Sequence, residues 1–251
     1  HALVMWMAVE GLVTGLRVDH IDGLYDPTGY LGQLQERLGH QTVRQGEVRQ
    51  FYVVVEKVLG DGEALPEDWP AAGTTGYDFM NVLNGVQVDP GGLAVLQRAY
   101  ADFTGSREGF REVVYRGKRA ALDDLFKGEV RNLVRQLWAV AAVHRDGLDL
   151  LPSELEQALV EVTASLPVYR TYVRGYQVSP RDRGYIQQAV QEARARRRDV
   201  DGQAFDFLRR VLLLEFPPGV SQEERREWLD LVMAWQQLSG PATAKGLEDT
   251  A

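Results

Sequence analysis

Two short apolar runs, each ending in a carboxylate, constrain the fold of this chain most. Leu16–Val18 has the length of a buried strand, and Arg17 and Asp19 share one face because side chains alternate along a strand. Phe51–Lys57 is rich in β-branched and aromatic residues and brings Glu56 to its end. A buried Arg–Asp pair is costly unless the two ions satisfy each other. The pattern therefore indicates a functional site, with a structural ion pair as the alternative.

A loop and a helix connect these two predicted strands. The loop is rich in turn-forming residues, and Leu31–Leu38 has the apolar spacing of a helix. Strand, loop, helix and strand make a βαβ unit, and such units build parallel sheets. A third strand candidate is Thr74–Phe79. In a β/α barrel the catalytic groups lie at the C-terminal ends of successive strands, which is where Asp19 and Glu56 fall.

Two carboxylates at neighbouring strand ends suggest the chemistry of a retaining glycosidase. In such enzymes the two carboxyl groups stand about 5–5.5 Å apart, one as nucleophile and the other as general acid and then base. Neighbouring strands are roughly 4.8 Å apart, so adjacent or next-but-one strands bring the groups within reach. Asp19, held by Arg17, would stay ionised and suit the nucleophile. Glu56, after the apolar and aromatic run Phe51–Val55, suits the acid.

The same residues resemble a known family. The segment GLRVDHIDGL, which begins at Gly15, resembles the strand-4 motif of the α-amylase superfamily, and FYVVVEKVLGDGEALP, which begins at Phe51, resembles its strand-5 motif. The likeness narrows to the maltooligosyltrehalose synthases and extends over nearly the whole chain. The phrases that carry it are, in order, RVDHIDGLYDPTGYL, VVVEKVLGDGEALPEDWPAAGTTGYDFMN, FREVVYRGKRAAL, LPVYRTYV and GPATAKGLEDTA.

The resemblance implies a (1→4)-α-D-glucan 1-α-D-glucosylmutase of trehalose biosynthesis. Such an enzyme converts the reducing-end α-1,4 linkage of a maltooligosaccharide to an α,α-1,1 linkage by a retaining double displacement. Asp19 would be the nucleophile, oriented by Arg17, and Glu56 the acid and base. The family's third carboxylate lies in a His-Asp-Thr-Lys motif that this sequence lacks. The strand motifs alone also fit an α-amylase or a 4-α-glucanotransferase, and a non-catalytic glucan-binding fragment is a further alternative.

Four residues near the strand ends are candidates for binding sugar. His20 follows the nucleophile candidate, and Lys57 follows the acid. Tyr77 and Asp78 end the third predicted strand, where an aromatic face could stack on a pyranose ring. The alternatives are a loop-capping role for His20, an ion pair for Lys57 and core packing for Tyr77.

After residue 88 the sequence changes from turn-rich segments to long stretches with helical periodicity. Residues 1–13 are predicted to form a helix that ends by Gly15. We expect a partial catalytic β/α barrel at 1–88, and a mainly helical region inserted in that barrel at 89–251. The helices are expected at Leu93–Phe103 after an Asp89-Pro90 start, within Arg107–Val143, at Glu154–Ser165 with a Ser153/Glu156 capping box, and at Arg181–Arg198, Gly202–Glu215 and Ser221–Leu238.

The three strand candidates are fewer than a full barrel contains. A (β/α)8 barrel takes about 250 residues for its eight strands. The chain has 251 residues, begins at His1 inside a predicted helix and stops at Ala251 without a cap. We therefore expect an α/β fold that is a partial TIM barrel, covering about strands 4 to 6, followed by a truncated helical insertion. As an internal fragment it is expected to be inactive and unstable alone, because open strand edges stay unpaired.

Composition excludes several classes of function. The net charge of −8 argues against nucleic acid as a partner, and no apolar run approaches the length of a membrane span. The chain has no Cys, which is compatible with a cytoplasmic location. Its four His residues are scattered along the sequence, which argues against a zinc site. No cofactor motif is present. The resemblance implies an α-1,4-glucan substrate and a pathway partner, maltooligosyltrehalose trehalohydrolase.

Overall fold

The computed structural model describes residues 1–42, 50–60 and 62–247. The chain divides into two compact units, His1–Gly109 and Phe110–Ala251. The first unit holds a small parallel sheet with flanking helices, and the second is helical. Most of the described residues are helical, so the α/β character belongs to the first unit.

The first unit is built around three short parallel strands. Its elements are helix α1 (Ala2–Val9), strand β1 (Gly15–Val18), a 3₁₀ turn (Ile21–Gly23), helix α2 (Pro27–Thr42), strands β2 (Tyr52–Val55) and β3 (Gly73–Thr74), and helices α3 (Tyr77–Val86) and α4 (Pro90–Thr104). The predicted strand, helix and strand are thus confirmed, and α1 ends earlier than the predicted helix. The division of the chain at residue 88, between a barrel and its insertion, stays a prediction.

Strand β2 lies between β1 and β3, and both pairings are parallel. Gly15 pairs with Tyr52, and Val18 pairs with Val55. Val53 and Val55 are fully buried, as expected for the central strand of a sheet that is covered by helices. Among the described residues the sheet has three strands and does not close, so the partial barrel stays a prediction.

The third predicted strand, Thr74–Phe79, is wrong in extent. Only Gly73–Thr74 pairs with β2, and helix α3 begins at Tyr77. Between them Gly76 adopts a φ of 97°. Glycine reaches this left-handed conformation at little cost, and the chain turns there from strand to helix. Tyr77 and Asp78 therefore begin a helix instead of ending a strand.

Helix α2 is fixed to the sheet by the side-chain amide of Gln35. Its oxygen accepts a hydrogen bond from the Phe51 N–H, and its nitrogen donates to the carbonyls of Phe51 and Pro70, each at 2.9 Å. Asp26 begins the helix by accepting from the Gly29 N–H at 2.9 Å. The start of β2 and helix α2 are therefore held together.

Helices α3 and α4 bury none of their residues. Asp89 caps α4 and Pro90 begins it, as predicted. The apolar side chains of both helices nevertheless lie exposed, with Phe79 at 69%, Val86 at 75% and Phe103 at 91% exposure. Both helices have amphipathic sequences, but none of the described residues covers their apolar faces enough to bury a residue.

The second unit is a helical domain with a contiguous core. Its elements are α5 (Phe110–Ala120), a π-helical turn (Ala121–Leu125), α6 (Lys127–Ala142), a 3₁₀ turn (Arg145–Gly147), α7 (Pro152–Ala164), α8 (Pro180–Arg196), α9 (Gly202–Leu212) and α10 (Gln222–Leu247). Trp228, Trp235 and Phe205 are among its largest fully buried side chains. The indole N–H of Trp235 donates to Thr163 Oγ1 at 2.9 Å, so this polar atom is satisfied inside the core.

Helices α5 and α10 cross at two glycines. A Cβ at Gly117 would stand 2.4 Å from the carbonyl oxygen of Gly246, and a Cβ at Gly246 would stand 2.4 Å from the Lys118 nitrogen. Both neighbours are backbone atoms, which cannot move aside as a flexible side chain does. The two helices approach this closely because neither carries a side chain at the crossing.

Buried polar groups join the helices of the second unit. The Glu161 carboxylate is fully buried and accepts hydrogen bonds from Arg119, from Arg197 at 2.9 Å and from the Tyr115 hydroxyl at 2.7 Å. This carboxylate on α7 therefore ties α5 to the end of α8. Three donors compensate the cost of removing the charge from water.

A second buried group, the Gln236 amide on α10, holds the irregular segment that follows α7. Its oxygen accepts from the Thr171 hydroxyl at 2.9 Å and the Val173 N–H at 2.6 Å, and its nitrogen donates to the Val173 carbonyl at 2.9 Å. One side chain thus satisfies both backbone groups of Val173, as a neighbouring strand would.

The predicted helices of this unit exist, but several of their ends differ. The predicted capping box at Ser153 and Glu156 is wrong, because α7 begins at Pro152 and its Glu154 carboxylate accepts from the Leu151 N–H at 2.9 Å. Helix α10 continues past its predicted end and contains Pro241. The cap lies two residues earlier, at Leu151, and this places Pro152 at the first helical position, which proline prefers.

Candidate active site

The site predicted from the sequence lies at the C-terminal ends of β1 and β2. Arg17 Nη2 donates to Asp19 Oδ1 at 2.6 Å, so these two residues pair as predicted. The expectation that the pair is buried is wrong: 59% of the Arg17 side chain and 72% of the Asp19 side chain are exposed. The physical reason is that β1 is an edge strand of the described sheet, with β2 on one side only.

Glu56 reaches the same edge of the sheet from β2. Val18 and Val55 form the last paired positions of the two strands, and the Glu56 N–H continues the ladder by donating to the Val18 carbonyl at 2.7 Å. Asp19 and Glu56 therefore leave adjacent parallel strands at the same level, where strands are roughly 4.8 Å apart. Their roles as nucleophile and acid stay predictions.

His20 connects the two strand ends through its backbone. Its N–H donates to Glu56 Oε2 at 2.9 Å, and its φ of 49° and ψ of 46° are left-handed. This conformation is uncommon for a residue with a side chain. The imidazole lies over Gly23, where a Cβ would stand 2.3 Å from His20 Cδ2. A glycine at position 23 is therefore required for the ring to lie there.

Lys57 occupies a different position from the one its predicted sugar-binding role requires. The residue is 1% exposed, and its Nζ lies 3.3 Å from Asp22 Oδ2 and 3.0 Å from Glu63 Oε1. Nζ also donates to the Val58 carbonyl at 2.9 Å. An ammonium group that three oxygen atoms already surround presents no free donor to a sugar, so Lys57 lies beneath the site. The structure thus contains the ion pair that the sequence analysis gave as the alternative role of Lys57.

Tyr77 and Asp78 follow β3 and begin α3. The Thr74 hydroxyl donates to Asp78 Oδ1 at 2.8 Å, and this hydrogen bond is the main cause that lowers the pKa of Asp78 below its ordinary value. The Asp78 carboxylate thus stays ionised and exposed near the end of the third strand. The sugar-binding roles of His20, Tyr77 and Asp78 stay predictions.

Sequence reasoning missed the part played by Asp22 and Glu63. Asp22 is 6% exposed and the Glu63 side chain is 3% exposed, although both residues lie in turn-rich loops. Charged residues are almost never fully buried without a partner. The available signal was a lysine two residues after an apolar strand, with acidic residues in both flanking loops.

The described residues contain neither a metal-binding cluster nor a membrane-spanning helix. Within 1–42, 50–60 and 62–247, no group of three or more His, Asp or Glu side chains is arranged to hold a metal ion. In that same part of the chain, no helix is long and apolar enough to cross a bilayer.

Comparison with known proteins supports one family. The sequence is 45% identical over 107 residues to a Mycobacterium tuberculosis protein named as a maltooligosyl trehalose synthase, a match that covers 41% of this chain and 13% of that protein. No family model matches. The solved maltooligosyltrehalose synthase of Arthrobacter ramosus superimposes over 99% of this chain, with a TM-score of 0.77 and 33% identity. The chain is a homologue of part of the maltooligosyltrehalose synthases.

A more distant structure gives the same result. A protein of Sulfolobus tokodaii described as a hypothetical maltooligosyl trehalose synthase covers 95% of this chain, with a TM-score of 0.62 and 26% identity. The chain spans 28% of the length of the Arthrobacter synthase and 25% of the Sulfolobus protein. Its sheet and its helical unit both lie within the region shared with maltooligosyltrehalose synthases.

Proposed function

We propose that the protein carrying this chain is an intramolecular transglucosidase, a glucosylmutase that converts the reducing-end α-1,4 linkage of a maltooligosaccharide to an α,α-1,1 linkage. The observation that carries the proposal is the sheet edge where Arg17 pairs with Asp19 and the His20 N–H holds Glu56. Homology to the maltooligosyltrehalose synthases over nearly the whole chain supports it.

In the first half-reaction, Asp19 attacks the anomeric carbon of the penultimate glucose. Glu56 gives its proton to the glycosidic oxygen, which leaves with the terminal glucose, and a covalent glucosyl-enzyme forms. The Arg17 guanidinium donates to the Asp19 carboxylate and fixes its orientation. Glu56 is then a carboxylate and can act as base.

In the second half-reaction, the freed glucose turns within the pocket. Glu56 takes the proton of its anomeric hydroxyl, the hydroxyl oxygen attacks the glucosyl-enzyme, and Asp19 leaves as a carboxylate. Two inversions at the same carbon retain the α configuration there. Nothing is hydrolysed as long as water is excluded. His20, Tyr77 and Asp78 are proposed to contact the sugar hydroxyls and rings.

The proposal extends to the architecture of the whole enzyme. Residues 1–88 form part of a (β/α)8 barrel, and residues 89–251 form a helical region that is inserted in that barrel. A third catalytic carboxylate comes from a segment outside this sequence. The enzyme works in the cytoplasm and supplies its product to a trehalose-releasing hydrolase.

The test is to count reducing ends while the full-length enzyme acts on maltopentaose. Internal transfer removes one reducing end per turnover and releases no free glucose. Anomeric carbon signals in the NMR spectrum then identify the α,α-1,1 linkage. An Asp19→Asn enzyme is the control and should leave the count unchanged. A constant count with redistributed chain lengths, or a rising count, would replace the proposal with disproportionation or hydrolysis.

A further inference from the structure

We infer that Lys57 is a positioning residue, whose buried ammonium group joins the two loops that carry Asp19 and Glu56 and thereby sets the relative placement of these carboxylates. The inference rests on the proposed function and goes beyond it, because it gives Lys57 a role beneath the site in place of contact with sugar.

The first step is the burial of the cluster. The Lys57 side chain is 0% exposed, and the side chains of Asp22 and Glu63 are 9% and 3% exposed. Without the ammonium group, two carboxylates would be left close together and away from water. Charges in such a place are retained only when they compensate each other. The three groups therefore form one electrostatic unit.

The second step is where the members of this unit stand along the chain. Lys57 directly follows Glu56, and Asp22 lies three residues after Asp19. Glu63 comes from the loop beyond β2, and its other carboxylate oxygen accepts from the Gly60 N–H at 2.8 Å. The ammonium group thus fixes the loop after β1, the end of β2 and the loop after it at one point.

The third step links this point to the carboxylates. Glu56 and Lys57 point to opposite faces of the chain, since side chains alternate. On the upper face, the His20 N–H donates to Glu56 Oε2 at 2.9 Å. On the lower face, Asp22 pairs with Lys57 at 3.3 Å. The two contacts bridge the same pair of loops, and His20 is in a left-handed conformation where it donates to Glu56.

Loss of the ammonium group should therefore disturb catalysis more than substrate binding. Displacement of a catalytic group by about 1 Å costs on the order of 100-fold in rate. Lys57→Met removes the ammonium group and keeps a flexible, unbranched side chain that is one atom shorter. In the full-length enzyme we expect it to lower kcat about 30- to 100-fold and to change KM less than about threefold. The milder Asp22→Asn should lower kcat about tenfold on the same basis. The double variant should lose no more than Lys57→Met alone, since both changes break one contact.

The matched control is Lys118→Met. Lys118 is also buried, and its Nζ donates to the Leu166 carbonyl at 2.8 Å in the helical unit. If loss of a buried lysine reduced kcat through stability alone, both methionine variants would do so. We expect kcat of Lys118→Met to stay within about twofold of the wild type at temperatures where the enzyme is folded.

A second measurement does not depend on activity. Hydrogen exchange followed by mass spectrometry on the peptide spanning 17–24 reports the His20 N–H that Glu56 accepts. We expect its exchange to accelerate at least tenfold in Lys57→Met and measurably in Asp22→Asn, and to stay unchanged in Lys118→Met. If Lys57→Met does not fold, Asp22→Asn provides the same test.

Two results would overturn the inference. One is exchange in the 17–24 peptide that matches the wild type in both site variants. The other is a kcat that falls equally in Lys118→Met. Failure of the proposed function looks different: the wild type would then form no α,α-1,1 product, while the exchange measurement would still decide whether Lys57 holds the two loops together.

Discussion

The two units of this chain use charge and apolar surface in opposite ways. In the helical unit, Glu161 is fully buried among two arginines and a tyrosine, and apolar residues of helices α6 to α10 form one core. In the sheet unit, Arg17 and Asp19 face solvent, and the helices that follow β3 bury none of their residues.

The helical unit therefore contains its own stabilising contacts, whereas the sheet unit holds its candidate catalytic side chains at the exposed ends of a small sheet. Cores tolerate little change in volume, because they are packed as densely as organic crystals. Exposed residues contribute little to stability when they are replaced. Substitutions in the helical unit should therefore change stability, and substitutions at the sheet edge should change activity.

The largest expected effect is on activity. Asp19→Asn keeps the shape of the side chain but removes the nucleophile, so kcat of the full-length enzyme on maltopentaose should fall by about 10³-fold or more. Because 72% of the side chain is exposed in the chain 1–251, the melting temperature of this chain should hardly change. Asp102→Asn on α4, another exposed aspartate, is the control and should keep full activity. A large loss of stability in Asp19→Asn would show that Asp19 contributes to folding as well as to activity.

The next effect is on stability and falls on the helical unit. Gly117→Ala forces a methyl group against the Gly246 carbonyl, so the free energy of unfolding should fall by about 3 kcal/mol. Urea denaturation of the chain, followed by tryptophan fluorescence, measures the loss. Gly128→Ala is the control, because nothing lies within 4 Å of a Cβ at that helical position, and it should not destabilise the chain. Equal stability of the two variants would contradict the close helix crossing.

A third effect depends on pH. Burial lowers the pKa of Lys118 from 10.5 to about 8. Between these two values the unfolded chain binds more protons at this lysine than the folded chain does, so stability rises with pH. Below about pH 8 the lysine is charged in both states and its burial destabilises the fold in full. The stability of the wild type relative to Lys118→Met should therefore increase from pH 8 to 10.5, by at most roughly 3 kcal/mol. A difference that is flat across this range would show that Lys118 is solvated.

The smallest expected effect tests the exposed helices of the sheet unit. Phe103→Gln on α4 should change the free energy of unfolding of the chain 1–251 by less than about 0.5 kcal/mol, because the side chain is 91% exposed. Phe205→Gln in the helical core is the contrasting variant and should be strongly destabilising, since its side chain is 1% exposed. A cost above about 1.5 kcal/mol for Phe103→Gln would show that this face of α4 is covered, and would narrow the contrast between the units.

Local patterns in the sequence predicted those features that depend on local chemistry. The β-branched run of β2 and the Asp89-Pro90 start of α4 are recognisable because strand composition and helix capping involve neighbouring residues. The pairing of Arg17 with Asp19 followed from alternation along one strand. These features needed no knowledge of distant parts of the chain.

Features that depend on distant partners could not be predicted in this way. The burial of Lys57 requires Asp22 and Glu63, which come from two different loops. The exposure of Asp19 depends on which elements flank β1 in the sheet. Gly76 could equally have continued a strand, and its positive φ, which turns the chain into α3, is a property of the folded backbone.

Gln236 shows how narrowly one position can be specified by what it contacts. The buried amide must accept two hydrogen bonds and donate one to the Val173 carbonyl. Glutamate has the same shape but can only accept hydrogen bonds when it is ionised. Its second oxygen would therefore face the Val173 carbonyl oxygen, and the two would repel each other. Asparagine has both groups on a stem one carbon shorter. A segment that lacks regular secondary structure thus takes its conformation from the one residue type with the right length and the right pair of polar groups, 63 positions away in the chain.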